Sequence, residues 1–289
     1  MSYWVAVVVR NAEQTIKRTL DSILNQTLPA KHIIMVDDGS TDSTPQILSD
    51  YARLNRGLVN VIRLPDRGYD IRRVPKNINL ASQRAAEKGV ETDYFMISGD
   101  DCSYSREYVE LLTQRMRDKR SIVVASGCPS AGGITGREHT PSGSGRLIRC
   151  NYWKQVGNGY PLRAGWETWL LYMAEKSGAE VKLFNDLVFD HSRPRGSQHQ
   201  FVYWGAAMYT LGYHPLYAIG RIAKNLIMRS VTFKGSLNLL RGYIQARLGS
   251  ADSFMAPFEP SLRQYVGKSQ VRRMLRVVSA LARMTVVSR

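Results

Sequence analysis

The stretch His32–Asp42 reads HIIMVDDGSTD. Its first half is a short apolar run without a polar face, the pattern of a strand buried on both sides, as in a parallel sheet. The run stops at two acids and a glycine. Gly39 lets the backbone turn tightly at the strand end. An ionised aspartate there only accepts hydrogen bonds, which suits the N–H of a base or the hydroxyls of a ribose. Ser40 or Asp42 can cap a helix beginning near Ser43. Capping accounts for one acid but not for a pair set directly behind a buried strand.

The same alternation extends in both directions. Upstream, Trp4–Val9 (WVAVVV) is a second buried strand, Asn11 an N-cap, and Thr15–Leu28 a helix ended by Pro29. Downstream come a helix over Ile47, Leu48 and Tyr51, a strand at Leu58–Leu64 and a helix at Asn77–Lys88. A fourth strand, Tyr94–Ile97, ends in Ser98-Gly99-Asp100-Asp101. This order predicts an α/β fold with a doubly wound, mostly parallel sheet. Ligands of such sheets bind beyond the carboxyl ends of the strands. The two Asp-Asp pairs are therefore expected in one crevice.

Further along, Ser126–Ser144 is rich in Gly, Ser and Pro and reads as a long loop. Leu147–Trp153 and Val181–Phe189 read as strands, and Trp166–Lys176 as a helix. From Ser192 the character changes to few acids, many aromatics and helical periodicity.

Four segments together resemble glycosyltransferase family 2, the inverting family with the GT-A fold: Val5–Glu13 (VAVVVRNAE), Val36–Asp42 (VDDGSTD), Asn77–Ala81 and Phe95–Asp101 (FMISGDD). The resemblance implies a nucleotide-sugar donor, carrying UDP or GDP, along Val8, Arg10 and Glu13. Asp38 takes the base-contacting position, and Asn77 falls on the family's Arg-Asn pair with Lys76 in place of the Arg. The family's D-x-D metal motif aligns with Ser98-Gly99-Asp100. The first acid is missing and Asp100 is retained, to hold Mg²⁺ or Mn²⁺ against the diphosphate. Asp101 is either a second ligand or the cap of a helix near Ser105. Gly165-Trp166-Glu167 resembles the family's segment for the catalytic base, which makes Glu167 the candidate to deprotonate the acceptor hydroxyl; its other reading is a charge stabilising the first helical turn. Asp190–Ser197 resembles the segment in which a His closes over the metal. That makes His191 a candidate ligand and Arg193 and Arg195 candidate phosphate contacts.

These assignments predict a catalytic domain over 1–192, with its donor half at about 1–102 and its acceptor half at 103–192. A basic, aromatic-rich helical extension follows over 193–289. The chain carries 40 Lys and Arg against 24 Asp and Glu, for a net charge of +16. Thirteen of those bases but only two acids, Asp252 and Glu259, lie from Arg221 to Arg289. A basic balance of this kind attracts polyanions. No zinc-finger spacing or aromatic RNP-like strand accompanies it, so nucleic acid is not the expected partner.

The expected partner is an anionic membrane surface. Phe201–Ile219 contains no charged residue and approaches the length of a membrane span, but it includes His214, Pro215 and several interfacial Tyr and Trp residues. Gln270–Val287 is a basic amphipathic helix, which also suits a bilayer surface or an ordinary core-facing stripe. The acceptor expected from this is a membrane-associated, lipid-linked glycan, with soluble glycans an alternative. Three scattered cysteines and no visible signal segment place the chain in the cytoplasm, peripheral on the membrane's cytoplasmic face. Two rival functions are a nucleotidyltransferase and a non-catalytic membrane or nucleic-acid binder. The first lacks a Gly-rich loop at Val8–Thr15. The second leaves both acid pairs unexplained, since carboxylates in a crevice repel phosphate unless a cation intervenes.

Overall fold

The computed structural model describes residues 1–130, 140–192, 201–229 and 231–287. The chain divides into two compact units, Met1–Pro161 with Ser177–Ser197, and Leu162–Lys176 with Gln198–Arg289.

The first unit is built on strands β1 (Tyr3–Val9), β2 (His32–Asp37), β3 (Val59–Arg63), β4 (Tyr94–Ser98), β5 (Cys102–Tyr104), β6 (Ile122–Pro129), β7 (Arg146–Arg149) and β8 (Glu180–His191). Its helices are α1 (Ile16–Leu24), α2 (Thr44–Leu54), α3 (Arg73–Glu87), α4 (Tyr108–Asp118) and α5 (Cys150–Gln155). The described strands form one sheet in the order β3-β2-β1-β4-β7-β6-β8-β5. Strands β1 to β4 pair in parallel, β7 runs antiparallel to β4 and β6, and β5 runs antiparallel to β8. The sheet is thus half parallel and half mixed.

The parallel half follows the apolar runs. Val5, Val7 and Val9 of β1 and Ile33 and Met35 of β2 are fully buried, and Ile16, Leu20 and Ile23 of α1 share their core. The i, i+4, i+7 spacing of those α1 residues makes the stripe that covers the sheet. On the opposite face Trp4 stacks on Phe95 with centroids 4.2 Å apart. The register then fixes the site: Val9 lies beside Asp37, and Val7 beside Ser98. The chain leaves all three strands at one edge, so Arg10, Asp38 and Asp100 emerge together.

Several boundaries differ from the expected ones. The run Leu147–Trp153 is strand only to Arg149 and becomes α5 at Cys150. Pairing with β4 ends where Arg149 meets Tyr94, and Trp153 is instead buried on the helix, donating its indole N–H to Ser82 Oγ at 2.9 Å. Helix α1 stops at Leu24, before Pro29, and α3 starts four residues ahead of Asn77. The segment expected as loop from Ser126 is still β6 to Pro129, because it pairs with β8. Asp101 caps no helix; β5 follows it directly and α4 begins only at Tyr108.

The second unit consists of helices α6 (Trp166–Lys176), α7 (Phe201–Thr210), α8 (Pro215–Ile227), α9 (Phe233–Arg247) and α10 (Pro260–Val287), with a short 3₁₀ turn at Ser253–Met255. Helix α6 groups with the C-terminal helices in this division. Helices α7 and α9 cross so closely that Gly205 and Gly242 are indispensable: a Cβ on either would come within 2.0 Å of a carbonyl oxygen on the other helix. The uncharged stretch Phe201–Ile219 is broken at Gly212–His214 into α7 and α8. Among the described residues no helix is long and apolar enough to cross a membrane.

Candidate active site

Two loops at the carboxyl edge of the sheet are stitched to each other before any ligand enters. Asn11, which has a left-handed φ of 47°, donates its backbone N–H to Ser40 Oγ at 3.0 Å and accepts from Thr41 N at 2.9 Å. Glu13 accepts from Ser43 N at 3.0 Å and donates its own N–H to Asp42 at 3.2 Å. Asp37 is fully buried and accepts from Ser40 N at 2.8 Å. The first acid of the pair therefore shapes the turn, while the second, Asp38, points to other partners.

Asp38 is held by Arg73, at the start of α3. The guanidinium donates from Nε and Nη2 to both carboxylate oxygens at 2.9–3.1 Å. It also donates to the Gly68 carbonyl, which anchors the 66–70 loop. Hydrogen bonding to Asp38 raises the pKa of Arg73 further above its usual value. Arg10 makes the matching staple, donating to the carbonyls of Asp38 and Gly39 and to Asp66 Oδ1 at 2.7 Å. Its hydrogen bond holds Asp66 below the usual aspartate range. Gly39 has a φ of 74°, and a Cβ there would lie 2.5 Å from Asp66 Cα. Only glycine admits this approach. A cleft of about 590 Å³ opens here, lined by Gly39–Thr41 and Arg63–Asp66.

The other acid pair stands at the end of β4. Asp100 Oδ2 accepts from Arg10 N at 3.2 Å, and the Asp100 carbonyl accepts from Thr15 Oγ1 at 2.9 Å. Asp101 faces the end of β8: His191 Nε2 lies 3.6 Å from Asp101 Oδ1, and Ser192 N donates to the Asp101 carbonyl at 2.8 Å. Antiparallel pairing of β5 and β8 places Cys102 opposite His191. One ligand atom each from Asp101, Cys102 and His191 falls within 4.8 Å of the others. Burial first, and the charge of Asp101 second, push the Cys102 thiol up to about 12. Carboxylate and imidazole donors of this kind fit a divalent cation such as Mg²⁺ or Mn²⁺.

Ser98, at the place of the missing first acid, is buried and shares a hydrogen bond of 2.9 Å with Tyr104 OH. Its hydroxyl also donates to the Gly99 carbonyl at 2.9 Å. A Cβ on Gly99 would come 3.0 Å from Asp101 Oδ1, so that glycine keeps the acid close. Val8 is half-buried in β1, beside Val36. Asn77 is buried in α3, and its Nδ2 has no partner among the described residues. The neighbouring Lys76 is exposed. Arg193 and Arg195 lie outside the described residues.

The sheet edge thus brings together Arg10, Glu13, Asp38, Asp100, Asp101 and His191. Glu167 belongs to the other unit. It sits in the first turn of α6, after Gly165 with its φ of 90°. Arg73, Asp66 and Cys102 take part in the site without having been read from the sequence.

A model of "Glycosyl transferase family 2" matches residues 4–175. The poly(ribitol-phosphate) beta-glucosyltransferase of Bacillus spizizenii is 39% identical over 70 residues, which is 24% of this chain and 11% of that protein. The matches to curated relatives span between about a tenth and a third of those proteins' lengths. Among solved structures, the mannosyltransferase PcManGT of Pyrobaculum calidifontis, in complex with GDP-Man and Mn²⁺, superposes with a TM-score of 0.57. It is 16% identical, with 97% of this chain and 80% of that one covered. S. aureus TarS 1–349 in complex with UDP-GlcNAc has a TM-score of 0.55 at 18% identity, covering 88% of this chain and 74% of that one. The fold is that of the GT-A glycosyltransferases, and the chain belongs to glycosyltransferase family 2.

Proposed function

We propose that this chain transfers a sugar from a nucleoside-diphosphate sugar to a hydroxyl acceptor with inversion at the anomeric carbon. One observation supports this most: Asp38, Asp100, Asp101 and His191 converge at one sheet edge, beside a cleft between the Gly39–Thr41 and Arg63–Asp66 segments. The cleft suits the nucleoside and the acids suit a cation-bound diphosphate. Asp100, Asp101 and His191 would hold a divalent cation, which would offset the charge of the departing nucleoside diphosphate. Glu167 takes the proton of the acceptor hydroxyl. The acceptor oxygen bonds to the anomeric carbon as the bond from that carbon to the phosphate oxygen breaks.

The acceptor in this reading is a lipid-linked glycan at an anionic membrane surface. Leu216, Ile219 and Ile227 of α8 and Phe233, Leu237 and Leu248 on and just beyond α9 are more than half exposed. Arg221, Lys224, Lys234 and Arg241 lie among them in sequence. Apolar side chains interleaved with bases suit an interface with anionic lipid.

The test is a thermal-shift panel of UDP and GDP with and without Mn²⁺ on the full chain. A ligand that binds only the folded state raises the melting temperature. One diphosphate should raise it strongly with Mn²⁺ and weakly without; no response to either removes the donor assignment.

A further inference from the structure

Within the C-terminal unit, the end of α7, the start of α8, α9 and α10 surround a cavity of about 360 Å³. Its wall includes Tyr209, His214, Tyr243, Arg247 and Arg263, and no Asp or Glu lines it. Neither arginine forms an ion pair among the described residues. Arg263 lies over the Tyr209 ring at 4.8 Å, and one of its terminal nitrogens reaches the Tyr209 carbonyl at 3.4 Å. Its Nε is buried without a partner, as is His214 Nδ1. Gln270 is fully buried; its Oε1 must face the backbone N–H of His214, 3.0 Å away, which leaves its Nε2 buried and unpartnered as well. Those three nitrogens are closed off from solvent; what the cavity itself presents is two guanidinium groups and an imidazole, with no carboxylate beside them.

Gly212 has a φ of 81°, and a Cβ there would lie 2.5 Å from Arg263 Cβ, so glycine alone lets α10 bring Arg263 against the turn after α7. His214 is the N-cap of α8 and Pro215 its first residue, so the positive end of that helix opens at the same place. Two arginines and a helix N-terminus at a wall without carboxylates suit a negatively charged occupant that accepts hydrogen bonds. A tetrahedral phosphate meets these demands, and the guanidinium fork matches two of its oxygens.

We propose that this cavity binds a phosphate group carried on a small organic ligand, either a soluble phosphorylated carbohydrate or a lipid headgroup. The assignment is independent of the transfer reaction and of the donor cleft.

The experiment measures binding of inorganic phosphate and glycerol phosphate to the full chain, with EDTA present and no nucleotide, by thermal shift. Both should raise the melting temperature saturably, and R263Q and R247Q should each weaken binding by about tenfold, the loss expected for a charged hydrogen bond. K88Q, which removes an exposed charge far from the cavity in sequence and in the other unit, should bind as the wild type does. Binding of nucleoside diphosphate with Mn²⁺, unchanged in the variants, reports that they fold. Saturation by soluble glycerol phosphate identifies a free ligand. Binding only to phosphatidylglycerol vesicles, lost in R263Q and kept in K88Q, identifies a headgroup. Equal stabilisation by acetate at matched ionic strength, equal loss in K88Q, or full binding by both R247Q and R263Q would overturn the proposal.

Discussion

The Arg73 guanidinium lies flat across the Asp38 carboxylate, with its Nε 3.0 Å from Oδ1 and its Nη2 2.9 Å from Oδ2. The residue expected to read the base is thus engaged already, and the same arginine ties down the 66–70 loop through Gly68. Asp38→Asn cannot return both charge-assisted bonds. It should destabilise the protein by about 1–3 kcal/mol, as expected for a largely buried charged pair left half-broken. Urea unfolding at neutral pH measures this, and Arg73→Gln should show a loss of similar size together with faster amide exchange across 66–70.

Gly39→Ala tests the close approach of the two donor loops. It places a side chain at positive φ, at a cost of about 1–3 kcal/mol, and adds the contact with Asp66 Cα at 2.5 Å. The expected outcome is a lower melting temperature together with weaker nucleoside-diphosphate binding. A variant with wild-type values in both would show that the 66–70 loop moves aside freely.

Asp100→Asn addresses the cation. Binding of nucleoside diphosphate in the presence of Mn²⁺ should fall to the level the wild type shows with EDTA, while binding without metal stays unchanged. Calorimetry with and without Mn²⁺ separates the two.

Glu167→Gln keeps the size of the side chain and removes its basicity. Turnover at saturating donor should drop by about 10²–10⁴-fold, the usual contribution of a general base, with donor affinity unchanged. Near-normal turnover would leave Glu167 as a charge in the first turn of its helix.

Acid stability follows from three exposed pairs. Arg10 beside Asp66, Arg115 beside Asp186 and Lys119 beside Glu180 each hold the carboxyl below its ordinary value, 3.8 for the aspartates and 4.5 for the glutamate. A depressed carboxyl pKa stabilises the fold above the unfolded value, and that contribution is lost as pH falls through the folded one. The melting temperature should be flat near neutrality and fall below about pH 4.5. Asp186→Asn should show a shallower fall than the wild type.

The donor half was legible because its signals are local. Buried parallel strands must be apolar on both faces, so β1, β2 and β4 show as unbroken runs, and acids that interrupt such runs are conspicuous. Cys102 and Arg73 were not legible in this way. Cys102 matters only because β5 pairs with β8, and Arg73 only because α3 begins early enough to reach Asp38. Both depend on contacts between distant residues, which no local pattern encodes. The α5 boundary failed for a related reason: Tyr152 and Trp153 look strand-like, and burial against α3 decides their conformation. Helix α6, which carries Glu167, was legible at its full length from its own spacing.

The pairing of Cys102 with His191 also has a kinetic meaning. Strands β1 to β4 all lie within the first 98 residues, whereas β5 pairs with a strand that follows it in the chain by about ninety residues. Contacts of such long range form slowly, because the loop entropy must be lost before they stabilise anything. A nascent chain that has just released β5 from the ribosome already carries both aspartate pairs but lacks the imidazole. His191 therefore joins Asp101 only after β8 has been made, later than the segments that line the cleft at Gly39–Thr41 and Arg63–Asp66.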